Sequence, residues 1–153
     1  MRELATILPD ESATAAFAAR LATAITPGMV IYLRGDLGAG KTTLVRALLN
    51  SLGYQGRVKS PTYTLLEQYQ VNETHLRHFD LYRFQDASEW ESAGFNDEFD
   101  GKNICLVEWP DQAAGLLPSA DLEIIFDILP DGRKIKLHAN TETGRECLKS
   151  LDN

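Results

Sequence analysis

The stretch GDLGAGKTT, residues 35–43, decides the fold of this 153-residue chain. It matches the phosphate-binding pattern Gly-x-x-x-x-Gly-Lys-Thr in full, in which glycines let backbone N–H groups turn toward phosphate oxygens. Such a match arises by chance in about 1 chain in 200 of this length, so an incidental glycine-rich turn is the weaker interpretation. We expect Lys41 to reach the β- and γ-phosphates of a nucleotide and the Thr42 hydroxyl to ligate Mg²⁺.

The residues on either side of this phosphate loop predict a strand before it and a helix after it. The run MVIYL, residues 29–33, is apolar and rich in β-branched and aromatic residues, as a buried strand would be. A further helix is predicted upstream, with Asp10 as its N-cap, and Gly53 falls where the C-terminal cap of the second helix is expected. The apolar positions at helical spacing are Phe17, Leu21 and Ile25 in the first helix and Leu44, Val45, Leu48, Leu49 and Leu52 in the second.

The rest of the chain predicts two antiparallel hairpins, one more buried strand and short helical segments. TYTLLEQYQ (62–70) and THLRHFDLY (74–82) form the first hairpin, with a turn at Asn72 and Glu73, and ICLVE (104–108) is the buried strand. A short helix starts at Ser88 as its cap. The second hairpin joins 122–129 to 133–140 through Pro130-Asp131-Gly132, and residues 141–153 form a helix or a mobile tail. We therefore predict an α/β class fold: one P-loop NTPase-like domain over 1–153, with three layers and a mixed sheet.

Composition narrows the class of function. The net charge is −7, which lowers the expectation that the chain itself grips nucleic acid by its phosphates. Acidic residues near the start argue against a signal peptide, and no stretch approaches the roughly 20 apolar residues of a membrane span. Cys105 and Cys147 form no C-x-x-C pair, so we expect reduced thiols in a cytoplasmic protein without a membrane partner.

Two carboxylates are candidates for chemistry. Glu108 closes the buried strand 104–108, where P-loop proteins place a carboxylate that binds Mg²⁺ or orients the attacking water. Asp80 is the second candidate and would share a strand face with Leu76, His78 and Tyr82. The alternative for Asp80 is a salt bridge to Arg77 or Arg83, and the sequence alone weighs the two equally.

Three further features have a functional and a structural interpretation. Thr62, in SPTYT (60–64), could present its hydroxyl to the γ-phosphate as part of a switch loop, although a proline-bounded strand entry fits the spacing better. His75 and His78 would lie on opposite faces of a strand, so a shared metal ion is not expected. Trp109 is interpreted as core or interface packing.

The nucleotide is predicted to be ATP. The guanine-recognition string N-K-x-D and the string D-x-x-G of common GTPases do not occur in this sequence. A phosphotransferase acting on a small hydroxyl substrate stays open as an alternative, but it would need an acceptor site and usually arginines from a lid. The arginines here are scattered at Arg57, Arg77, Arg83 and Arg133. A nucleotide-dependent binding module with negligible turnover is the third alternative.

Four separated motifs resemble the bacterial TsaE (YjeE) family over nearly the whole chain: GDLGAGKTT, VKSPTYTL (58–65), HFDLYR (78–83) and LVEWP (106–110). The resemblance implies a P-loop ATPase required for threonylcarbamoyladenosine (t6A) formation on tRNA. It implies as partners TsaD and TsaB, with TsaD as the transferase, and ATP hydrolysis that is slow alone and resets the complex between turnovers. The protein would meet tRNA only through that complex, which fits its acidic charge.

The same resemblance assigns roles to individual residues. Lys41, Asp80 and Glu108 are the implied catalytic residues, and Thr42 and Glu108 are the implied Mg²⁺ ligands. Thr62 lies in the switch-like segment, which ATP–Mg²⁺ would order to favour docking. The implied nucleotide-binding residues are Glu11, Asp36, Leu37, Gly38, Ala39, Gly40, Lys41, Thr42, Thr43, Thr62, Trp109 and Arg133.

Overall fold

The computed structural model describes residues 2–152, and within them seven strands form one mixed sheet. The strands are β1 (Glu3–Leu8), β2 (Val30–Arg34), β3 (Leu66–Val71), β4 (Thr74–Asp80), β5 (Ile104–Glu108), β6 (Leu122–Leu129) and β7 (Gly132–Ala139). Their order across the sheet is β1-β7-β6-β2-β5-β4-β3.

Helices cover both faces of this sheet, as predicted for a three-layer fold. The helices are α1 (Glu11–Ala24), α2 (Lys41–Leu52), α3 (Ala87–Ser92) and α4 (Glu142–Leu151), with 3-10 turns at Phe95–Glu98 and Pro110–Ala113. α1, α2 and α4 pack on one face, while α3 and the two turns pack on the other. The side chains of β5 alternate between the two helical layers: Leu106 packs on the α2 side, whereas Cys105 and Val107 pack in the cluster around Trp90.

The parallel centre of the sheet positions the site. β2 runs parallel to both β5 and β6, and β4 runs parallel to β5. The carboxyl ends of β2, β4 and β5 therefore meet at one edge, where α/β proteins bind ligands. The phosphate loop (residues 35–42) leaves β2 at this edge. Antiparallel pairing is confined to β3–β4, β6–β7 and β1–β7, so the predicted mixed sheet with antiparallel hairpins is confirmed.

The first hairpin is shorter than predicted at both outer ends. Residues 62–65 form a turn, because Leu65 has a left-handed φ of 67° and its N–H donates to Pro61 O at 2.9 Å. β3 consequently begins at Leu66. β4 ends at Asp80, whose carboxylate accepts the Tyr82 N–H at 3.1 Å, so the predicted placement of Tyr82 on the strand face is wrong.

The predicted ends of the helices are confirmed at some positions and wrong at others. Asp10 caps α1 by accepting the Ala13 N–H at 2.9 Å, and Gly53 ends α2 in the left-handed conformation, both as predicted. The cap of α3 is Asp86 rather than Ser88, because the Asp86 carboxylate accepts the Ser88 N–H. Residues 142–151 form a helix, not a mobile tail. β1 was not predicted; it is an edge strand that pairs with β7.

No helix within residues 2–152 combines the length and apolar character that crossing a bilayer requires. Both cysteines are free thiols, buried on different elements.

Candidate functional site

The phosphate loop has the backbone conformation that its glycines allow. Gly40 has φ +106° and directly precedes the first residue of α2. Gly35 has φ +152°, and a Cβ there would lie 3.0 Å from Phe126 O and 3.2 Å from the Ala39 Cβ. A larger residue at either position would strain the loop or push it from the sheet. The loop thus passes closely over β6 and delivers the chain into the N-terminus of α2, a favourable location for phosphate.

Lys41 is held inside the loop. Its side chain is buried, with the residue 4% exposed, and Nζ donates to Gly35 O and lies 3.7 Å from the centre of the Trp109 ring. Burial lowers the pKa of Lys41, while the nearby carboxylates of Glu108, Asp80 and Asp36 oppose that shift. The ammonium is therefore a partly desolvated cation that a phosphate oxygen could partner.

Glu108 is the central carboxylate of the site. It is 3% exposed at the end of β5, and its Oε2 accepts a hydrogen bond from Thr42 Oγ1 at 3.0 Å. The same oxygen lies 2.6 Å from His78 Nε2. Cα pairing places Asp80 opposite Glu108 on the neighbouring strand. The two predicted carboxylates therefore lie side by side at the edge where the phosphate loop begins.

Asp80 is a partly desolvated carboxylate rather than a member of a salt bridge. Burial raises its pKa, although the Tyr82 N–H and other groups partly offset the shift. Neither predicted salt bridge forms among residues 2–152: Arg77 Nε pairs with Glu98 Oε1 at 3.0 Å, and the Arg83 guanidinium lies 4.9 Å from the Tyr63 ring centre. Asp80 thus remains available to the site.

One cavity of about 400 Å³ collects nearly all the predicted site residues; we call it the loop cavity. This volume is within the ordinary range for ligand pockets. Of the predicted residues, Glu11, Leu37, Gly38, Ala39, Gly40, Lys41, Thr42, Thr43, Thr62, Asp80, Glu108, Trp109 and Arg133 line it. Residues that the sequence reasoning did not select also line it: Leu8, Pro9, Asp10, Thr14, Ser60 and Gly132.

Asp36 is the exception. It lines a neighbouring cavity of about 360 Å³ on the other side of the loop, together with Arg34 and Asp111. Trp109 lines both cavities. Its φ of +57° is a left-handed conformation, uncommon for an aromatic residue. Trp109 belongs to the site and also packs on Tyr82, at 4.9 Å between ring centres.

Arg133 ties the second hairpin to the phosphate loop. Its Nε donates to Ala39 O at 3.1 Å and its Nη2 donates to Gly38 O at 3.1 Å. The residue is distant from the loop in sequence, and the β6–β7 hairpin brings it there. The guanidinium therefore supports the loop from outside while it lines the loop cavity.

The segment 60–64 borders the loop cavity and is anchored just before it. The Tyr69 hydroxyl accepts the Lys59 N–H and donates to Lys59 O, both at 3.1 Å. The hydroxyls of Ser60 and Thr62 lie 2.7 Å apart, and both residues line the cavity. Thr62 is thus placed to meet a ligand there.

His78 is the site residue that the sequence reasoning missed. The sequence places it on the strand face of Asp80 and excludes a metal ion shared with His75, which lies on the opposite face, but it assigns His78 no role. Its contact with Glu108 follows from the parallel register of β4 and β5, which no local pattern reveals.

The donors at Thr42 and Glu108 fit Mg²⁺. A hydroxyl oxygen and a carboxylate oxygen, 3.0 Å apart, are hard donors of the kind that Mg²⁺ combines with substrate phosphates. No group of three or more His, Cys, Asp or Glu residues that could hold a metal ion occurs in the part of the chain described, residues 2–152. The arrangement suits a metal shared with a phosphate ligand rather than a protein-only metal centre.

The parallel strands, the phosphate loop and the α2 N-terminus together define a P-loop NTPase-like protein. Comparison with known families then gives the particular group. A family model described as "Threonylcarbamoyl adenosine biosynthesis protein TsaE" matches residues 8–135. The chain belongs to the TsaE family, and the resemblance noted in the sequence is confirmed.

Relatives and a solved structure agree with this assignment. The chain is 41% identical over 158 residues to the tRNA threonylcarbamoyladenosine biosynthesis protein TsaE of Haemophilus influenzae, covering 100% of both chains. It is 40% identical over 121 residues to the TsaE protein of Bacillus subtilis, covering 79% of this chain and 74% of the relative. The crystal structure of Bacillus subtilis YdiB superposes with a TM-score of 0.80 at 30% identity, covering 99% of this chain and 95% of YdiB.

Proposed function

We propose that this protein binds and hydrolyses ATP as a component required for t6A modification of tRNA. In this proposal it acts with the TsaD–TsaB complex and resets that complex between turnovers, while TsaD transfers the group. Membership of the TsaE family supports the pathway, since the relatives carry the name of t6A biosynthesis. ATP, Mg²⁺ and the two partners are part of the proposal.

The observation that carries the proposal is the convergence of Lys41, Thr42 and Glu108 in one cavity beside a helix N-terminus. Lys41 and Thr42 are the first two residues of α2, at the end of the phosphate loop, and Glu108 comes from the end of β5. A buried ammonium, inward-turning backbone N–H groups and a hard-oxygen donor pair are the parts that nucleotide phosphates with Mg²⁺ require.

Each of these residues has a defined task in the proposal. The loop N–H groups bind the β-phosphate, and Lys41 moves from Gly35 O and the Trp109 ring to the β- and γ-phosphate oxygens. Since burial lowers the pKa of Lys41, a phosphate partner replaces solvation that the ammonium lacks in the free protein. This exchange stabilises the bound nucleotide.

Thr42 and Glu108 would hold Mg²⁺, which when bound neutralises charge on the phosphates as the terminal bond breaks. Glu108 and Asp80 orient the attacking water from the carboxyl ends of β5 and β4. The pairing of Asp80 with Glu108 across neighbouring strands supports this shared role, because both residues line the loop cavity.

In this proposal, ATP binding also changes the conformation of the segment 60–64. Thr62 and Ser60 line the loop cavity from a turn outside the sheet, so a γ-phosphate contact would order residues 60–64. The ordered segment favours docking on TsaD–TsaB, and hydrolysis releases it. The net charge of −7 suits a protein that reaches tRNA only through its partners.

A phosphotransferase with a small hydroxyl substrate is less well supported. Among residues 2–152, Arg133 is the arginine that lines the loop cavity, and its guanidinium already binds loop carbonyls. A phosphotransferase of this kind usually places several lid arginines around the transferred group. ADP production that depends on a small hydroxyl acceptor, without any protein partner, would favour this alternative.

The test is t6A formation on tRNA by TsaD–TsaB over many turnovers, with and without this protein. We expect modification to stop after about one turnover without it and to continue when it is added with ATP and Mg²⁺. Lys41→Ala should abolish both ATP binding and the stimulation, whereas Lys149→Ala on the exposed last turn of α4 should behave as wild type. Intact ATP binding and intact modification with Lys41→Ala would contradict the mechanism.

A further inference from the structure

His78 is a buried polar residue that the proposed function does not yet use. It is 0% exposed in β4, and its Nε2 lies 2.6 Å from Oε2 of Glu108. The register pairs His78 with Leu106 and Asp80 with Glu108, so the ring reaches Glu108 diagonally across two strands. His78 does not line the loop cavity, and the side-chain hydrogen bond that links it to the site within residues 2–152 is the one to Glu108.

The hydrogen-bond network assigns the tautomer of His78. An ionised carboxylate only accepts, so the hydrogen in this contact lies on Nε2. Nδ1 is buried and has no hydrogen-bond partner among residues 2–152. A hydrogen on Nδ1 would be a buried donor without an acceptor, and such groups are rare in proteins. The contact thus assigns Nε2–H as the donor to Glu108.

Both hydrogen bonds to Glu108 end on the same oxygen. Oε2 accepts from His78 Nε2 and from Thr42 Oγ1, whereas Oε1 accepts from no group within residues 2–152. Two donors from different elements, β4 and α2, fix the carboxylate rotamer. Since Glu108 lines the loop cavity, the fixed rotamer leaves Oε1 for a ligand there.

We propose that His78 is a positioning residue for Glu108: its Nε2–H holds Oε2 beside Thr42 and so presets the carboxylate for Mg²⁺ and water. The inference rests on the proposed ATP hydrolysis. Contacts of this kind orient metal-site ligands, and their loss commonly costs about 10- to 100-fold in affinity or activity.

The competing role for a buried histidine is packing alone, and paired variants separate the two. His78→Gln keeps an N–H donor near the Nε2 position, whereas His78→Met has a similar length and no N–H. We expect His78→Met to lower kcat for ATP hydrolysis with TsaD–TsaB about 10- to 100-fold, and His78→Gln to restore most of it. ATP affinity without Mg²⁺ should stay at the wild-type value. His75→Gln, on the opposite face of β4, is the matched control and should keep wild-type kcat.

The dependence on Glu108 provides a second test. In a Glu108→Gln background, His78→Met should cause no further loss of kcat, because the residue acts through the carboxylate. Equal losses in His78→Met and His78→Gln, or a further loss in the Glu108→Gln background, would show a packing role and overturn the inference.

A readout on the unmodified site keeps the inference testable if His78→Met fails to fold. The chain has three histidines, so proton–nitrogen correlation spectra of their rings can be assigned with single variants. We expect the His78 ring as the Nε2–H tautomer, with a resonance that shifts in Glu108→Gln. An Nδ1–H tautomer, or no shift, would overturn the inference independently of activity.

The outcomes also separate this inference from the proposed function. An active wild-type protein with an unaffected His78→Met variant overturns the inference and leaves the function standing. A wild-type protein that hydrolyses no ATP, alone or with TsaD–TsaB, overturns the proposed function and this inference with it.

Discussion

The Lys41 ammonium lies 3.7 Å from the centre of the Trp109 ring. This contact links the phosphate loop to the residue that directly follows β5. A cation this close to an indole face interacts with its π-electrons. Lys41 also donates to Gly35 O, so its position is fixed from two sides. Any ligand that draws the ammonium toward a phosphate must change the surroundings of Trp109.

Trp109 should therefore report nucleotide binding. The chain has two tryptophans, and Trp90 is 1% exposed in the cluster on the other face of the sheet. In a Trp90→Phe background, ATP should change the emission of Trp109, and Lys41→Met should remove most of that change. Lys102→Met on the exposed segment before β5 is the control. An unchanged response in Lys41→Met would contradict the contact.

Asp80 should destabilise the nucleotide-free protein at neutral pH. Burial raises its pKa, so the folded state holds the proton more tightly than the unfolded state. The favourable contribution of the protonated Asp80 carboxyl to the free energy of unfolding is fully present below the unfolded pKa of about 4. It is lost as pH rises through the raised pKa of the folded state. Asp80→Asn keeps an acceptor for the Tyr82 N–H and does not titrate.

We therefore expect urea unfolding at pH 7 without nucleotide to give a larger free energy of unfolding for Asp80→Asn than for wild type. The gain should shrink toward pH 4. Asp131→Asn, in the exposed β6–β7 turn, should show neither effect. An Asp80→Asn protein that is less stable than wild type at pH 7 would mean that the carboxylate is favourably solvated in the fold.

Gly144 should be irreplaceable in α4. A Cβ there would lie 2.0 Å from Asp121 O, which precedes β6, although alanine otherwise favours a helix by about 1 kcal/mol. Overpacking of this kind typically costs about 1–3 kcal/mol. Gly144→Ala should accordingly lower Tm, and Ser150→Ala, exposed on the same helix, should change the free energy of unfolding by less than about 0.5 kcal/mol. A Gly144→Ala protein as stable as wild type would contradict the close approach of α4 to β6.

The two thiols should be inert in the folded protein. Burial raises the pKa of Cys105 to about 12 and that of Cys147 to about 11, and the thiolate is the reactive form. A chromogenic disulfide reagent at pH 8 should label neither thiol within minutes in buffer and both in denaturant. Prompt labelling of either one without denaturant would show that its layer of the fold opens readily.

The sequence predicts the elements whose signals are local. The phosphate loop, the strand before it and the helix after it are encoded within residues 29–53 and form as expected. The edge strand β1 is not predicted, because its six residues form a strand by pairing with β7 near the far end of the chain. The predicted start of β3 is wrong because Leu65 adopts a left-handed φ, a conformation that a leucine in isolation does not favour.

The sequence likewise predicts those site residues whose signals are local. Lys41 and Thr42 follow from the motif, and Glu108 follows from its place at the end of a buried strand. Arg133 and Glu11 reach the loop cavity only through tertiary structure, so the family resemblance names them and local pattern does not. His78 needs the β4–β5 register, and the left-handed Trp109 that lines both cavities needs the three-dimensional path of the chain.

The most direct test of the proposed function is ATP hydrolysis by the purified protein with Mg²⁺, alone and with TsaD–TsaB. Glu108→Gln is the key variant, because it keeps the shape of the side chain that Thr42 and His78 contact. We expect slow turnover by the protein alone, a sharp rise with the partners, and loss of that rise in Glu108→Gln. Turnover that ignores the partners, or that survives in Glu108→Gln, would contradict the proposed function.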